Sequence, residues 1–327
     1  MRYITIAIFM ALGSHALADG QRLLYPCHRP ASAPTIDGDV TGDPAWATIP
    51  SVTGFRVLGA DYAHAKQTTA WLCWDNEAIY VAVVAEEPDA AELQPVAADG
   101  GWTWGEDSIE VFIQPGGQGQ AYQIGVTTAG ARGSGAGNPD ITACRSAAAI
   151  GTDTYSIELS IPYGVLNART PADGDAWLGT VCRNTFITTS GGDKFTTWAP
   201  LRNAFLEPEN YGEIRFVGRT LTPEQAAAGT AAMSSEYRER LIGKLADAAE
   251  RMEQYVGDLR EAASDRRFRR DALRLLRRWR GLKGMQEQGR GAATAEVRKA
   301  LGGVDAMVAA AYELKYAYLL TKLTDEQ

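Results

Sequence analysis

From Thr35 to Phe216 the apolar positions come in short alternating runs, separated by clusters of Gly, Pro, Asp and Asn. The run from Ser108 is the clearest. Ile109, Val111 and Ile113 point one way, while Ser108, Glu110 and Phe112 point the other. Comparable patterns predict strands over 68–74, 78–85, 108–114, 122–127, 141–148, 154–161, 177–186, 194–198 and 212–217. Polar residues Asp75, Asn76 and Glu77 mark a hairpin turn between the first two. About nine strands without an intervening amphipathic helix predict an antiparallel β-sandwich or flattened barrel. One helical turn is expected at 162–167, and a flexible Gly/Ala-rich loop at 130–139.

After Thr222 the period changes. Thr222-Pro-Glu-Gln is a helix start, with Thr as N-cap and Pro in the first position. Tyr237, Leu241, Leu245, Met252, Val256 and Leu259 recur at helical steps, as do Phe268, Leu275, Leu276, Trp279 and Leu282. So do Val297, Leu301, Val304, Val308, Ala311, Leu314 and Tyr318. Three amphipathic helices predict an antiparallel bundle. The expected domains are a leader at 1–18, a sandwich at 19–219 and a helical bundle at 220–327.

The leader reading rests on Arg2, the apolar stretch Ile4–Leu12 and the small-residue site Ala16-Leu17-Ala18. It implies export, to a periplasm or outside the cell. No stretch approaches the ~20 apolar residues a membrane span needs. Net charge is −8, of which residues 1–220 carry about −11 and the remainder about +3. That acidic balance argues against a nucleic-acid partner. Cys27, Cys73, Cys144 and Cys182 follow the leader; in an oxidising compartment they fit two disulfides in any of three pairings. Cys73 and Cys182 lie in predicted strands and fit buried free thiols equally well.

Trp102 and Trp104 stand in a Gly-flanked loop just before Glu110. A pyranose C–H face stacks on an indole, and a carboxylate accepts hydroxyl hydrogen bonds. The competing reading is a Trp that plugs the end of a sandwich. Other chemistries find less support. Glu106, Asp107, Glu110 and Asp99 cluster, but no partner carboxylate is placed opposite them, so no glycoside hydrolase pair is assigned. Asp107 is expected to tie down its loop by accepting backbone N–H bonds. Every Met between Thr35 and Phe216 is missing and no Cys-x-x-Cys-His occurs, which argues against haem. Asp37 to Asp43 imitates the start of an EF-hand loop, yet its twelfth position is Thr48 rather than Glu. The Arg-dense run 266–280, interleaved with Asp265 and Asp271, reads as a solvated, salt-bridged helix face.

Several motifs occur in a telling order: Thr35-Ile-Asp-Gly38, Asp43-Pro-Ala-Trp46, Leu72-Cys-Trp-Asp75 and Trp104-Gly-Glu-Asp-Ser-Ile-Glu110. Tyr155-Ser-Ile-Glu158, Arg183-Asn184 and Glu207-Pro-Glu-Asn-Tyr-Gly212 continue the series. Over roughly residues 25–217 this resembles carbohydrate-binding module family 9 and its relatives. The resemblance implies a β-sandwich gripping a sugar between two aromatic rings, with calcium supporting the fold and no catalysis. Trp104 falls on the first ring, Phe205 on the second and Glu110 on the hydroxyl-binding carboxylate, with Trp102 extending the platform. An Arg of sugar-binding members falls on Gly125; Arg202, with Asn203 beside it, or Arg132 is the expected substitute. The expected ligand is a mono-, oligo- or polysaccharide, with a chain end as one candidate. An alternative is a sandwich without a sugar ligand that acts in assembly, with the helices binding a protein partner. The helical tail resembles nothing recognised.

Overall fold

The structure, a computed structural model, describes residues 22–60, 62–187, 193–288 and 294–325. The leader at 1–18 lies outside them. The strands are β1 (Leu24–His28), β2 (Ser51–Val52), β3 (Arg56–Val57), β4 (Thr68–Trp74), β5 (Ala78–Glu86), β6 (Ser108–Gln114) and β7 (Tyr122–Thr127). They continue as β8 (Arg132–Ser134), β9 (Arg145–Ile150), β10 (Thr154–Pro162), β11 (Ala176–Asn184), β12 (Phe195–Thr197) and β13 (Gly212–Val217). Pairing runs in the order β8-β7-β6-β11-β13-β1-β4-β5-β10-β9. β1 lies parallel to both β13 and β4, and so joins two otherwise antiparallel halves. The sequence pattern hides this strand because Pro26 interrupts it.

The inward sets of the two halves meet in one core. Ile109, Val111, Ile124, Val126 and Val181 from one half join Leu72, Val81, Val83, Ile157 and Leu159 from the other. The arrangement is the expected sandwich, with smaller apolar clusters on its outer faces. Trp46, Cys73 and Tyr80 build one, and Phe112, Cys182, Leu201 and Tyr211 another. The strand expected at 141–148 starts late, because Asp140 caps a 3-10 turn at Ile141–Ala143 by accepting from the Thr142 amide. The loop expected at 130–139 contains β8.

No disulfide forms. All four cysteines are buried free thiols, distributed among three different clusters. Cys27 and Cys73 lie on adjacent strands but face opposite sides of the sheet, Cys27 in the inner core and Cys73 in an outer cluster.

The chain divides at Ser235/Glu236 rather than at 219/220. Helix α1 (Pro223–Met233) starts at the predicted cap, Thr222, and Gln225 completes a capping box. It belongs to the sandwich unit: Ala226 is buried, and the Ser51 amide donates to Thr230 Oγ1 at 2.8 Å. Among the described residues the second unit holds four helices where three were expected: α2 (Ser235–Ala262), α3 (Arg269–Gln288), α4 (Thr294–Leu301) and α5 (Val304–Asp325). The last predicted helix breaks at Gly302-Gly303, where Gly303 takes φ +69°. Ion pairs Arg251–Asp305, Asp258–Lys315 and Glu261–Lys322 run α5 parallel to α2. Glu253–Lys283, with the Ala262 and Ala272 contact, sets α3 antiparallel to both. Among the described residues no helix is long and apolar enough to cross a membrane.

Candidate functional site

Strand register places the candidate residues on one outer face. Glu110 on β6 stands opposite Gly125 on β7 and Cys182 on β11; Gly125 in turn faces Gly133 on β8. The neighbouring row is Thr127, Ser108, Asn184 and Phe195, and the row on the other side is Gln123, Phe112 and Thr180.

Trp104 arrives on this face from a 3-10 turn, Thr103–Gly105. The buried Thr103 side chain drops onto the sheet, where any Cβ on Gly125 or Gly133 would collide with its hydroxyl. Trp104 Cε3 would stand 3.7 Å from that Gly125 Cβ, so the indole lies beside the row that holds Glu110. Trp104 is half-buried. Trp102 meets it edge-on at 4.9 Å between ring centroids and is 68 % exposed. Thr103 therefore fills the space in which the resemblance expects an Arg.

Glu110 lies on the expected face but is covered, with 3 % of its surface exposed. Its carboxylate accepts from Asn184 Nδ2 at 2.6 Å and from Gln123 Nε2. Burial raises its pKa, and the bonds from Asn184 and Gln123 offset part of that rise. Gln123 is itself fixed, since its Oε1 accepts from the Ala136 amide. Asn184 and Gln123 were not among the predicted site residues. The available signal for Asn184 was its alternation with Cys182 along β11.

Phe205 reaches the same face from the loop before β13. Its ring meets Phe112 edge-on at 6.2 Å and Phe195 at 5.9 Å, and Phe195 meets Phe186 at 6.1 Å. Phe112 is two residues along β6 from Glu110, so the indole and the phenyl row approach the carboxylate from different strands. Phe195, 37 % exposed, escaped the sequence reading although it lies in the strand predicted over 194–198.

Glu207 organises the Phe205 loop. It accepts from the Arg202 amide at 2.8 Å, the Asn203 amide at 2.7 Å and the Asn203 and Asn210 side chains at 3.0 and 2.9 Å. Burial alone would raise its pKa, but these bonds outweigh that effect and hold it at about 2. The Asn203 amide is thus turned toward the loop, while the Arg202 side chain is exposed. Arg132 is not brought to the face: it pairs in register with the inward-facing Val126 and binds Asp99 and the Cys144 carbonyl.

The neighbouring carboxylates are committed to the backbone. Asp107 accepts from the Phe186 and Ile187 amides, each at 3.2 Å, as expected of a loop tie. Glu106 accepts from the amides of Val96 and Ala97. Between them opens a cleft of about 640 Å³, lined by Gln94, Gly105, Glu106 and Phe186. Among the described residues no three His, Cys, Asp or Glu side chains converge. Asp37 and Asp43 bond backbone amides, and Glu158 accepts from the amides of Asp37 and Gly38 and from Trp46 Nε1.

A family model described as carbohydrate family 9 binding domain-like matches residues 36–219, more than half of the chain. The chain belongs to that family. Its similar solved structures include a family 9 carbohydrate binding module from Caldicellulosiruptor kristjanssonii in complex with cellotriose. That likeness has 20 % identity and a TM-score of 0.48, covering 60 % of this chain and 94 % of that one. The corresponding module in complex with glucose also has 20 % identity and a TM-score of 0.48, covering 59 % and 96 %. No curated protein matches the chain.

Proposed function

We propose that the protein is an exported, non-catalytic saccharide-binding protein whose ligand lies over Glu110, between Trp104 and the Phe205 ring. The reading is supported by the domain's membership of this family and by Trp104 lying next to Gly125, the register partner of Glu110, on an outer sheet face that Phe205 also reaches through its contact with Phe112. Stacking on two aromatic faces supplies contact area, and the fixed Glu110–Asn184–Gln123 group supplies an oriented acceptor. With no cation at position 125 and little of Glu110 exposed, binding is weak. A Kd between micromolar and millimolar, roughly −4 to −8 kcal/mol, is expected. Titration with mono- and oligosaccharides and their borohydride-reduced forms, followed by tryptophan fluorescence, tests it. Trp104→Ala should abolish the signal and leave thermal unfolding nearly unchanged; a large loss of stability would mark Trp104 as core. Loss of binding on reduction assigns chain-end recognition.

A second reading has its own support in the covered Glu110, both of whose oxygens already accept hydrogen bonds. In it the domain binds no sugar and serves assembly. Silence across the saccharide panel favours it.

A further inference from the structure

We propose that the exposed face of α3 is a second binding surface, for a linear acidic polysaccharide, independent of the sandwich site. Helix α3 carries seven basic residues against two acidic ones, within a protein of net charge −8. Its apolar side, Ala272, Leu275, Leu276, Trp279 and Leu282, is buried. Directly opposite, at three- and four-residue steps, stand Arg270, Arg274 and Arg277, all exposed, with Arg280 on the flank.

The expected salt-bridged face is only partly formed. Asp271 serves both Arg270 and Arg274, at 3.7 and 3.3 Å, and Asp265 is taken by Arg267. Among the described residues no carboxylate lies within salt-bridge reach of Arg277 or Arg280. Like charges three and four apart oppose helix formation, so the row weakens the helix that carries it. Two glycines extend the same face, Gly281 and Gly284. Each would have open space around a Cβ, so packing within the protein does not require them there. Glycine in a helix interior is unfavourable, yet it lets another molecule approach the backbone closely.

From Arg270 to Gly281 this face runs straight for about 16 Å. Guanidinium groups pair with carboxylates through two parallel hydrogen bonds, so an extended chain bearing repeated carboxylates matches the row. A lipid surface fits less well. Interfacial helices bury their apolar face among acyl chains, whereas that of α3 is buried in the protein and only Leu273 projects near the arginines.

The test uses the full chain and polygalacturonate as probe, in affinity electrophoresis and titration at low and moderate salt. Binding is expected, weakening steeply as salt rises. The triple variant Arg270→Gln, Arg274→Gln, Arg277→Gln should lose about tenfold or more in affinity with helix content and melting temperature retained. The corresponding triple Lys variant should keep most of the binding. Trp104→Ala should bind polygalacturonate like the parent, which separates this surface from the sandwich site. Absence of binding, or equal binding by the triple Gln variant, overturns the proposal. So does tighter association with phosphatidylglycerol vesicles than with polygalacturonate, which would assign the row to lipid.

Discussion

Trp104 leans on the sheet where Gly125 leaves room: a Cβ at Gly125 would come within 3.7 Å of its Cε3 and into the Thr103 hydroxyl. The two positions are therefore coupled. A large cationic side chain at 125 and the turn that delivers Trp104 exclude one another. Gly125→Arg should not create a better sugar site. It should displace Thr103, lower stability by about 1–3 kcal/mol through overpacking, and weaken saccharide binding. Urea unfolding and fluorescence titration of this variant would check both effects. Higher affinity at unchanged stability would show that the turn yields easily.

The Glu207 staple gives a pH dependence with a definite sign. Its folded pKa of about 2 lies below the ordinary carboxylate value. The ionised form is therefore favoured by folding. Its stabilisation is complete above about pH 4.5 and is lost as pH falls toward 2. Glu207→Gln should cost roughly 2 kcal/mol at pH 7, because each carboxylate oxygen accepts two bonds and one oxygen is lost, leaving two donors without an acceptor, and much less near pH 2. Urea midpoints of parent and variant at both pH values provide the measurement. A difference independent of pH would refute the assignment.

The thiols offer a chemical check on the buried core. Burial raises the pKa of Cys27, Cys73 and Cys182, and pushes that of Cys144 up to about 12. Only the thiolate is nucleophilic, so the folded protein should resist iodoacetamide. Denatured without reductant, it should take up four carbamidomethyl groups, counted by mass spectrometry. Uptake of two or none would reveal disulfides.

The strands from β4 to β7 were legible because each is a short run rich in β-branched and aromatic residues, strictly alternating in β6 and nearly continuous and apolar in β5, bounded by polar or glycine-rich turn residues. β1 was not, since Pro26 argues against a strand and its pairing depends on two distant partners. The aromatic and acidic candidates on β6 were likewise legible, because alternation alone sends Glu110 to the outer face. How deeply that face is covered depends on Thr103, in the turn just before β6, and on the Phe205 loop and Asn184, which reach it from far along the chain. The same limit hid the attachment of α1: its cap is local, but the pocket for Ala226 is built by residues about 180 positions earlier.

Arg183 and Glu87 form a fully buried ion pair at 3.2 Å, with Lys66 bonding the other oxygen of Glu87 at 2.6 Å. The Arg183 guanidinium also lies 5.2 Å from the Tyr155 ring centroid and donates to the Glu86 carbonyl at 2.8 Å. A buried charge is costly chiefly when its partner is removed. Glu87→Gln leaves Arg183 charged and without its counterion, and should destabilise by about 3–5 kcal/mol. Replacing both members, Arg183→Met with Glu87→Leu, removes the charges together and should cost less than Glu87→Gln alone, although Lys66 then loses its bond to Glu87. Chemical unfolding of the two variants at pH 7 distinguishes the cases. If Glu87→Gln costs under about 1 kcal/mol, water reaches the pair and the end of the sandwich is not sealed.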